Sequence, residues 1–247
     1  MKKWLALAAT AVLGASLLIS GCGSSTNNAS SSGSKEVLKV AANPVPHAEI
    51  LEQVKPILAK EGVDLQIVEF TDYIQPNMAL SSHEVDANFF ANVPYQNNYN
   101  KDHGTNFVSF APVHIEPLAI YSQKIKDLKD LPNGAKVAIP SDPTNSARAL
   151  LLLQSAGLVT LKDPTGLTNT PFDITSNPKN IQITELEAAQ IPRSIQDLDA
   201  AVINANYALP AGLNPTKDGL FVEKADSPYA NLLSVNPGDE NEPAIQK

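Results

Sequence analysis

Apolar positions along residues 37–235 fall into short runs separated by longer amphipathic stretches. The runs VLKVAA (37–42) and KVAIP (136–140) have the length of strands, whereas Ile50, Leu51 and Val54 recur at helical spacing. Such alternation of strands and helices is typical of an α/β fold with a largely parallel sheet.

The same pattern predicts individual elements along the chain. Strands are predicted at 37–42, 63–70, 86–90, 136–140, 181–185, 200–204 and 231–235, helices at about 47–60, 75–82, 95–102 and 145–156, and one long extended stretch at 106–122. Gly62 and Gly157 stand where the first and last of these helices should stop.

The N-terminus has the pattern of an export signal. Lys2 and Lys3 precede an uncharged stretch rich in Leu and Ala, which is followed by Ile-Ser-Gly-Cys at 19–22. We predict a signal peptide at 1–21 and lipidation of Cys22, the one cysteine of the chain. An ordinary signal peptide or a membrane span with an incidental cysteine is the alternative, but the apolar run is short for a span.

Residues 23–34 read GSSTNNASSSGS and contain no apolar side chain larger than alanine. With Cys22 they are predicted to form a lipidated flexible tether at 22–34. The whole chain carries a net charge of −8, so nothing in its composition favours binding to nucleic acid.

Polar residues at predicted strand ends are candidates for ligand binding. Arg148 lies in the first turns of the helix after KVAIP, where it could grip a carboxylate or simply pair with a neighbouring surface acid. Asn204 and Asn206 end another strand, where asparagine serves either ligand contact or turn geometry. We assign ligand contact to Asn206 and structural support to Asn204.

Aromatic residues concentrate between positions 73 and 95, at Tyr73, Phe89, Phe90 and Tyr95. Adjacent Phe89 and Phe90 must point to opposite faces of their strand, so one is expected in the core and one in a cleft. The alternative is that all four are core residues.

The four histidines are scattered along the chain and form no catalytic motif. The sequence contains no GxSxG, HExxH, P-loop or glycine-rich dinucleotide motif. His114 and Glu116 have the alternation of two metal ligands, but a third ligand is not evident, and a hydrogen-bonded strand histidine is the alternative. We therefore expect no enzymatic activity, no cofactor and no metal.

Six linked motifs carry a resemblance to a known family. PVPHAEIL (44–51), DYIQPN (72–77), DANFFANVPY (86–95), VHIEPLAIYS (113–122), PSDPTNSARALLLL (140–153) and INANYAL (203–209) resemble the NlpA/MetQ family of methionine-binding lipoproteins of ABC importers. The resemblance covers nearly all of residues 37–247, in order.

The resemblance implies a two-lobed periplasmic-binding-protein fold of the second type, with the ligand in the cleft. Crossings between lobes are expected near 113–117 and 230–235, which gives lobe one at 35–114, lobe two at 115–232 and a return to lobe one at 233–247. Family members typically continue with one or two further helices, so the C-terminal helix is expected to be truncated in this sequence.

The resemblance also implies a binding site. Its expected ligand-binding residues are Tyr73, Phe90, Asn92, Tyr95, Asn145, Arg148 and Asn206. Many members have FQH where this chain has Phe90-Ala91-Asn92, so L-methionine, D-methionine, a methionine dipeptide and another small amino acid all stay open as ligands.

The expected function is that of a substrate-binding protein, held to the extracytoplasmic face of the membrane by lipid, which delivers to an ABC permease and its ATPase. The alternatives are a secreted enzyme or an adhesin lipoprotein on the same fold.

Overall fold

The protein is described by a computed structural model over residues 36–225 and 228–247. The predicted signal peptide, Cys22 and the tether lie outside the described residues. Within the described ranges, no helix has both the length and the apolar composition needed to cross a bilayer.

Twelve strands make up the sheets of the described residues. They are β1 (Glu36–Ala42), β2 (Val63–Glu69), β3 (Ala87–Asn92), β4 (Val108–Ile115), β5 (Ala119–Tyr121), β6 (Lys136–Pro140), β7 (Thr160–Leu161), β8 (Ile174–Ser176), β9 (Gln182–Leu186), β10 (Ala200–Ile203), β11 (Phe221–Val222) and β12 (Ala230–Val235).

The helices lie between these strands. They are α1 (Glu49–Lys60), α2 (Gln75–Ser81), α3 (Val93–His103), α4 (Pro143–Ser155), α5 (Ile191–Ser194), α6 (Ala205–Ala208) and α7 (Pro215–Asp218). Shorter helical turns occur at Pro44–Ala48, Leu128–Asp130, Pro171–Asp173, Ala188–Gln190, Ile195–Asp197 and Asp239–Asn241.

Two five-stranded sheets carry the fold. The first has the order β2-β1-β3-β12-β4, in which β1 pairs parallel with β2 and β3 while β12 runs antiparallel to its neighbours. The second has the order β11-β5-β10-β6-β9, with β6 parallel to β9 and β10 and with β5 antiparallel to β10 and β11. Strands β7 and β8 form a separate antiparallel pair.

The chain passes between the two sheets twice. It leaves the first sheet after β4, enters the second at β5, and returns between β11 and β12. The predicted extended stretch at 106–122 is therefore divided between the sheets around Pro117. Strand β12 pairs along its length within the first sheet, so the return precedes the expected segment 230–235, and the expected division after residue 232 falls inside this strand.

Most predicted elements are present with shifted ends. Helix α1 begins two residues later than predicted, after the irregular turn at Pro44–Ala48, and α3 begins two residues earlier because Asn92 caps it. Gly62 (φ +84°) and Gly157 (φ +74°) follow α1 and α4 in the left-handed conformation that ends a helix. The short strands β7, β8 and β11 were not predicted, because two or three residues are too few to show the alternation of apolar and polar positions that marks a strand.

Each large sheet packs against its own apolar core. In the second sheet, buried residues of β5, β6 and β10 pack against Leu150 and Leu153 of α4, both fully buried. In the first sheet, Val40 and Phe89 pack with residues of α1 and β2. A cavity with a largely polar lining lies between these two cores.

Replacement of Leu153 by alanine tests the α4 packing. We expect a loss of about 2–5 kcal/mol in the free energy of unfolding, because a buried leucine leaves a cavity. The matched control is Leu167→Ala, whose side chain is 45 % exposed and should cost less than about 0.5 kcal/mol. Urea unfolding measures both, and similar losses for the two variants would contradict the burial of Leu153 against the second sheet.

Candidate functional site

The seven side chains expected to bind a ligand meet around one cavity between the two sheets. The cavity is lined by Tyr73, Phe90, Ala91, Asn92, Tyr95, Glu116, Asn145, Arg148, Asn204, Ala205, Asn206 and Asn231. Elements of both sheets contribute to this lining, so the site forms only when the two halves are assembled.

Three aromatic rings form one wall of the cavity. The ring centroids of Tyr73 lie 6.0 Å from Phe90 and 5.8 Å from Tyr95, and those of Phe90 and Tyr95 are 5.7 Å apart. The Tyr95 hydroxyl donates to the Tyr73 carbonyl oxygen at 2.7 Å, which fixes the two rings relative to each other. Phe90 is part of this wall, whereas Phe89 belongs to the core of the first sheet, as strand alternation predicts.

Hydrogen bonds connect the two sides of the cleft. The Tyr73 hydroxyl donates to Asn206 Oδ1 at 2.6 Å, and the Tyr207 hydroxyl donates to the Thr71 carbonyl oxygen at 3.2 Å. Asn206 Nδ2 lies 3.4 Å from Asn43 Oδ1. Burial raises the pKa of Tyr73 well above its usual value, so this phenol stays a donor. These bonds join residues preceding α2 to the segment that follows β10.

The start of α4 is organised by Asp142. Its carboxylate accepts from the backbone and side-chain nitrogens of Asn145, and Asn145 Oδ1 in turn accepts from Asn204 Nδ2 at 2.8 Å. Burial raises the Asp142 pKa although these bonds oppose it. The first turn of α4 is thus capped by an internal carboxyl group, and Asn204 contacts this turn through its bond to Asn145.

Arg148 is buried, with 4 % of its surface exposed, and it is already paired with an acid. Its Nε and Nη2 donate to the two carboxylate oxygens of Glu223 at 2.9 Å and 2.5 Å, and Nη2 also donates to the Glu116 carbonyl oxygen at 2.8 Å. The guanidinium carbon lies 4.3 Å from the ring centroid of Tyr229. Arg148 thus pairs with an acid although it is buried rather than at the surface, and it also lies at the cavity, where its contact with a ligand stays a prediction.

This pairing changes how Arg148 could hold a ligand. The edge formed by Nε and Nη2 is occupied by Glu223, so a two-bond grip through that edge is not open to a ligand carboxylate. Nη1 is the guanidinium nitrogen without a hydrogen-bond partner among the described residues. Because Glu116 and Glu223 each lie in one of the two passages between sheets, Arg148 also ties these passages together.

Glu116 is a cavity residue that the sequence did not identify as a ligand contact. Its Oε1 lies 2.8 Å from His114 Nε2 and 3.0 Å from His47 Nε2. Burial acts to raise the Glu116 pKa, but the contacts with His114 and His47 outweigh it and lower the pKa to about 2. Glu116 is therefore ionised at neutral pH, and it places a negative charge beside the cavity.

The position of Glu116 in the sequence could have identified it as a cavity residue. It lies within the crossing expected at 113–117, and crossing segments border the cleft in this fold. The same argument applies to Asn231, which lines the cavity just after the second passage. His47, His114 and Glu116 also supply the third member that the sequence lacked for a metal-ligand set, since one donor atom from each lies within 4.8 Å of the others.

Two α/β halves around a polar cavity, with two chain passages between them, define a two-lobed substrate-binding protein. Comparison with known proteins gives the same class and narrows it. The chain belongs to the NlpA lipoprotein family, whose family model matches residues 38–247. The resemblance inferred from the six motifs and the predicted fold class are both confirmed.

Individual relatives agree with this assignment. The D-methionine-binding lipoprotein MetQ of Salmonella typhimurium is 43 % identical over 99 % of this chain and 89 % of its own length. A nutrient-binding protein from Burkholderia cenocepacia, solved bound to methionine, is 48 % identical with a TM-score of 0.80 and covers 85 % of this chain and 88 % of that one. A periplasmic substrate-binding protein of an ABC transporter from Coxiella burnetii is 44 % identical with a TM-score of 0.81, over 85 % and 88 % of the two chains.

Removal of the Glu223 carboxylate tests the buried ion pair. Glu223→Ala should lower the free energy of unfolding by about 3–5 kcal/mol, because it leaves the Arg148 charge buried without its partner. The double variant Arg148→Met/Glu223→Leu should recover much of that loss. Denaturant unfolding measures all three proteins.

The control for this prediction is the exposed pair of Lys55 and Glu52, whose nitrogen and oxygen are 4.0 Å apart. Glu52→Ala should change stability by less than about 1 kcal/mol, since exposed pairs contribute little. A Glu223→Ala loss no larger than that of Glu52→Ala would show that the buried pair does not stabilise the fold.

Proposed function

We propose that this protein is an extracytoplasmic, lipid-anchored substrate-binding protein that captures methionine, in L or D form, or a closely related small amino acid or dipeptide for an ABC importer. The observation that carries the proposal is one buried cavity that combines an ionised carboxylate, an arginine and an aromatic wall. A free amino acid presents an ammonium group, a carboxylate and a side chain, and each has a matching partner in this cavity.

The charged groups suggest how the ligand lies. The ligand ammonium pairs with Glu116, whose Oε1 is held by two histidines while the side chain borders the cavity. The ligand carboxylate approaches Arg148 through Nη1. Asn206, with an amide that can both donate and accept, stands beside these groups and supports either end.

The aromatic wall sets the preference for the ligand side chain. Tyr73, Phe90 and Tyr95 present ring surfaces at centroid distances of 5.7–6.0 Å, against which a polarizable thioether packs well. The names of the Salmonella typhimurium relative and the methionine-bound Burkholderia cenocepacia protein support methionine as the first ligand to test.

Stereochemistry and ligand length depend on Asn92. Its Oδ1 accepts from the Tyr95 backbone nitrogen at 3.0 Å and caps α3, so its amide nitrogen is the group that remains for a ligand.

Calorimetric titration with L-methionine, D-methionine, a methionine dipeptide and L-alanine tests the proposal. Failure of all four to bind would refute it, and turnover of any of them would favour an enzyme.

The division into lobes is part of the proposal. We assign lobe one to the first sheet and lobe two to the second, with the passages around Pro117 and between β11 and β12 as hinges. The bonds of Asn206 and Tyr207 to Tyr73 and Thr71 would then hold the cleft closed around the ligand. The importer would receive this closed form, as suggested by the named role of the Coxiella burnetii protein.

Phe90→Ala tests the aromatic wall. The dissociation constant for methionine should rise about tenfold or more, because the ring contributes apolar contact to the longer side chain. The constant for L-alanine, if measurable, should rise less. Titration calorimetry compares the ligands, with the 98 % exposed Phe172→Ala as matched control; an equal rise for both ligands would assign Phe90 to the fold alone.

Cys22→Ala tests the anchor in the full-length precursor. The variant should appear in the soluble extracytoplasmic fraction, because stable anchoring requires acyl chains. Fractionation followed by immunoblotting measures this against the wild type. Retention of the correctly processed variant in the membrane fraction would refute lipidation at Cys22.

A further inference from the structure

The cluster of His47, His114 and Glu116 lies behind the cavity, outside the residues expected to touch a ligand. His47 comes from the turn before α1, His114 from the end of β4, and Glu116 from the passage that follows it. His47 is 1 % exposed and does not line the cavity, whereas Glu116 does. Three separate segments therefore converge on one carboxylate.

We propose that His47 and His114 are positioning residues that hold the Glu116 carboxylate toward the cavity, and that they thereby determine selectivity for ligands with a free ammonium group. This inference rests on the proposed function and assigns a task to two residues that do not touch the ligand.

The carboxylate is held from one side only. Both Nε2 atoms approach Oε1, at 2.8 Å for His114 and 3.0 Å for His47. His114 makes a hydrogen bond to this oxygen, whereas His47 Nε2 lies close to it without the geometry of a hydrogen bond. Among the described residues, no group donates to Oε2. One oxygen is thus fixed by the histidines, and the other is left for the ligand.

The charge of the cluster follows from the buried nitrogens. His47 Nε2 is buried without a regular hydrogen-bond partner among the described residues, and so are the Nδ1 atoms of His47 and His114. A protonated imidazole would bury an N–H donor there without an acceptor, which is costly. Each ring therefore presents Nε2, the nitrogen that faces Oε1, as its donor, and the carboxylate keeps its negative charge for a cation in the cavity.

Packing fixes the two rings in this arrangement. Phe89 contacts both imidazoles edge-on, with centroids 4.9 Å from His47 and 5.4 Å from His114, and the imidazole centroids are 5.2 Å apart. Because Phe89 and Phe90 alternate on β3, one strand supports the Glu116 cluster with one face and the aromatic wall with the other.

A metal ion is the competing explanation for two histidines and a glutamate. We favour hydrogen bonding because both Nε2 atoms already lie at 2.8–3.0 Å from one oxygen and because no fourth ligand is present among the described residues. A dication at this position would also repel the ammonium group of the proposed ligand.

The test compares two ligands that differ only in the ammonium group: L-methionine and 4-(methylthio)butanoate. His47→Leu and His114→Leu should each weaken methionine binding roughly tenfold or more while the butanoate changes little, because only the ammonium uses Glu116. His47→Gln and His114→Gln, which keep an N–H near the Nε2 position, should retain more of the selectivity. His103→Leu, an exposed histidine on α3, is the matched control.

The outcomes separate this proposal from the proposed function. If the wild type fails to bind methionine, the function is refuted. If the wild type binds but the leucine variants weaken both ligands equally, the histidines serve only the fold and the positioning role is overturned. Stoichiometric binding of Zn²⁺ to the chelator-treated wild type, lost in His47→Leu, would overturn it in favour of a metal site.

A second measurement covers the case in which the leucine variants do not fold. Nitrogen NMR of the wild type with labelled histidines should show Nε2 protonated and Nδ1 unprotonated for His47 and His114 at neutral pH. Protonation of both nitrogens in either ring would contradict the proposed charge of the cluster.

Discussion

The buried contact of Arg148 with Glu223 and the Glu116 carbonyl group is the interaction on which the rest of the structure depends. Its three hydrogen bonds span 2.5–2.9 Å and connect a helix of the second sheet to both chain passages. A charge with 4 % exposure is tolerated only with such partners. The pairing therefore fixes the passages relative to each other, and with them the position of every cavity residue attached to either sheet.

The cavity is built so that its polar groups are mostly held by protein partners. Asn145 is bonded to Asp142 and Asn204, and Asn206 to Tyr73, while Glu116 is held by two histidines. Preorganisation of this kind lowers the ordering cost of binding, because few side chains must be immobilised when a ligand arrives. Among the described residues, Arg148 Nη1 and Glu116 Oε2 have no hydrogen-bond partner, and their charges are complementary to the two ends of an amino acid.

Much of the fold could be predicted from periodicity, and the exceptions have physical causes. KVAIP was predicted with its observed ends because the apolar run ends at Pro140, and the polar Ser141 and the capping Asp142 separate it from Pro143, the first residue of α4. The passage at Pro117 could not be located within the predicted extended stretch 106–122, because extended residues have the same sequence pattern in a paired strand and in a connecting segment. Pairing partners such as β12 with β3 and β4 depend on contacts distant in sequence, which no local pattern contains.

The sequence by itself determined the alternation of elements, the opposite facing of Phe89 and Phe90 and, through six motifs, the family. These properties follow from local backbone geometry or from linked residue identities. The tertiary structure decided which groups meet: Glu223 with Arg148, and His47 with Glu116, at separations of 75 and 69 positions. Charge pairing acts through space, so the lowered pKa of Glu116 and the occupied edge of Arg148 exist only once the fold has brought these side chains together.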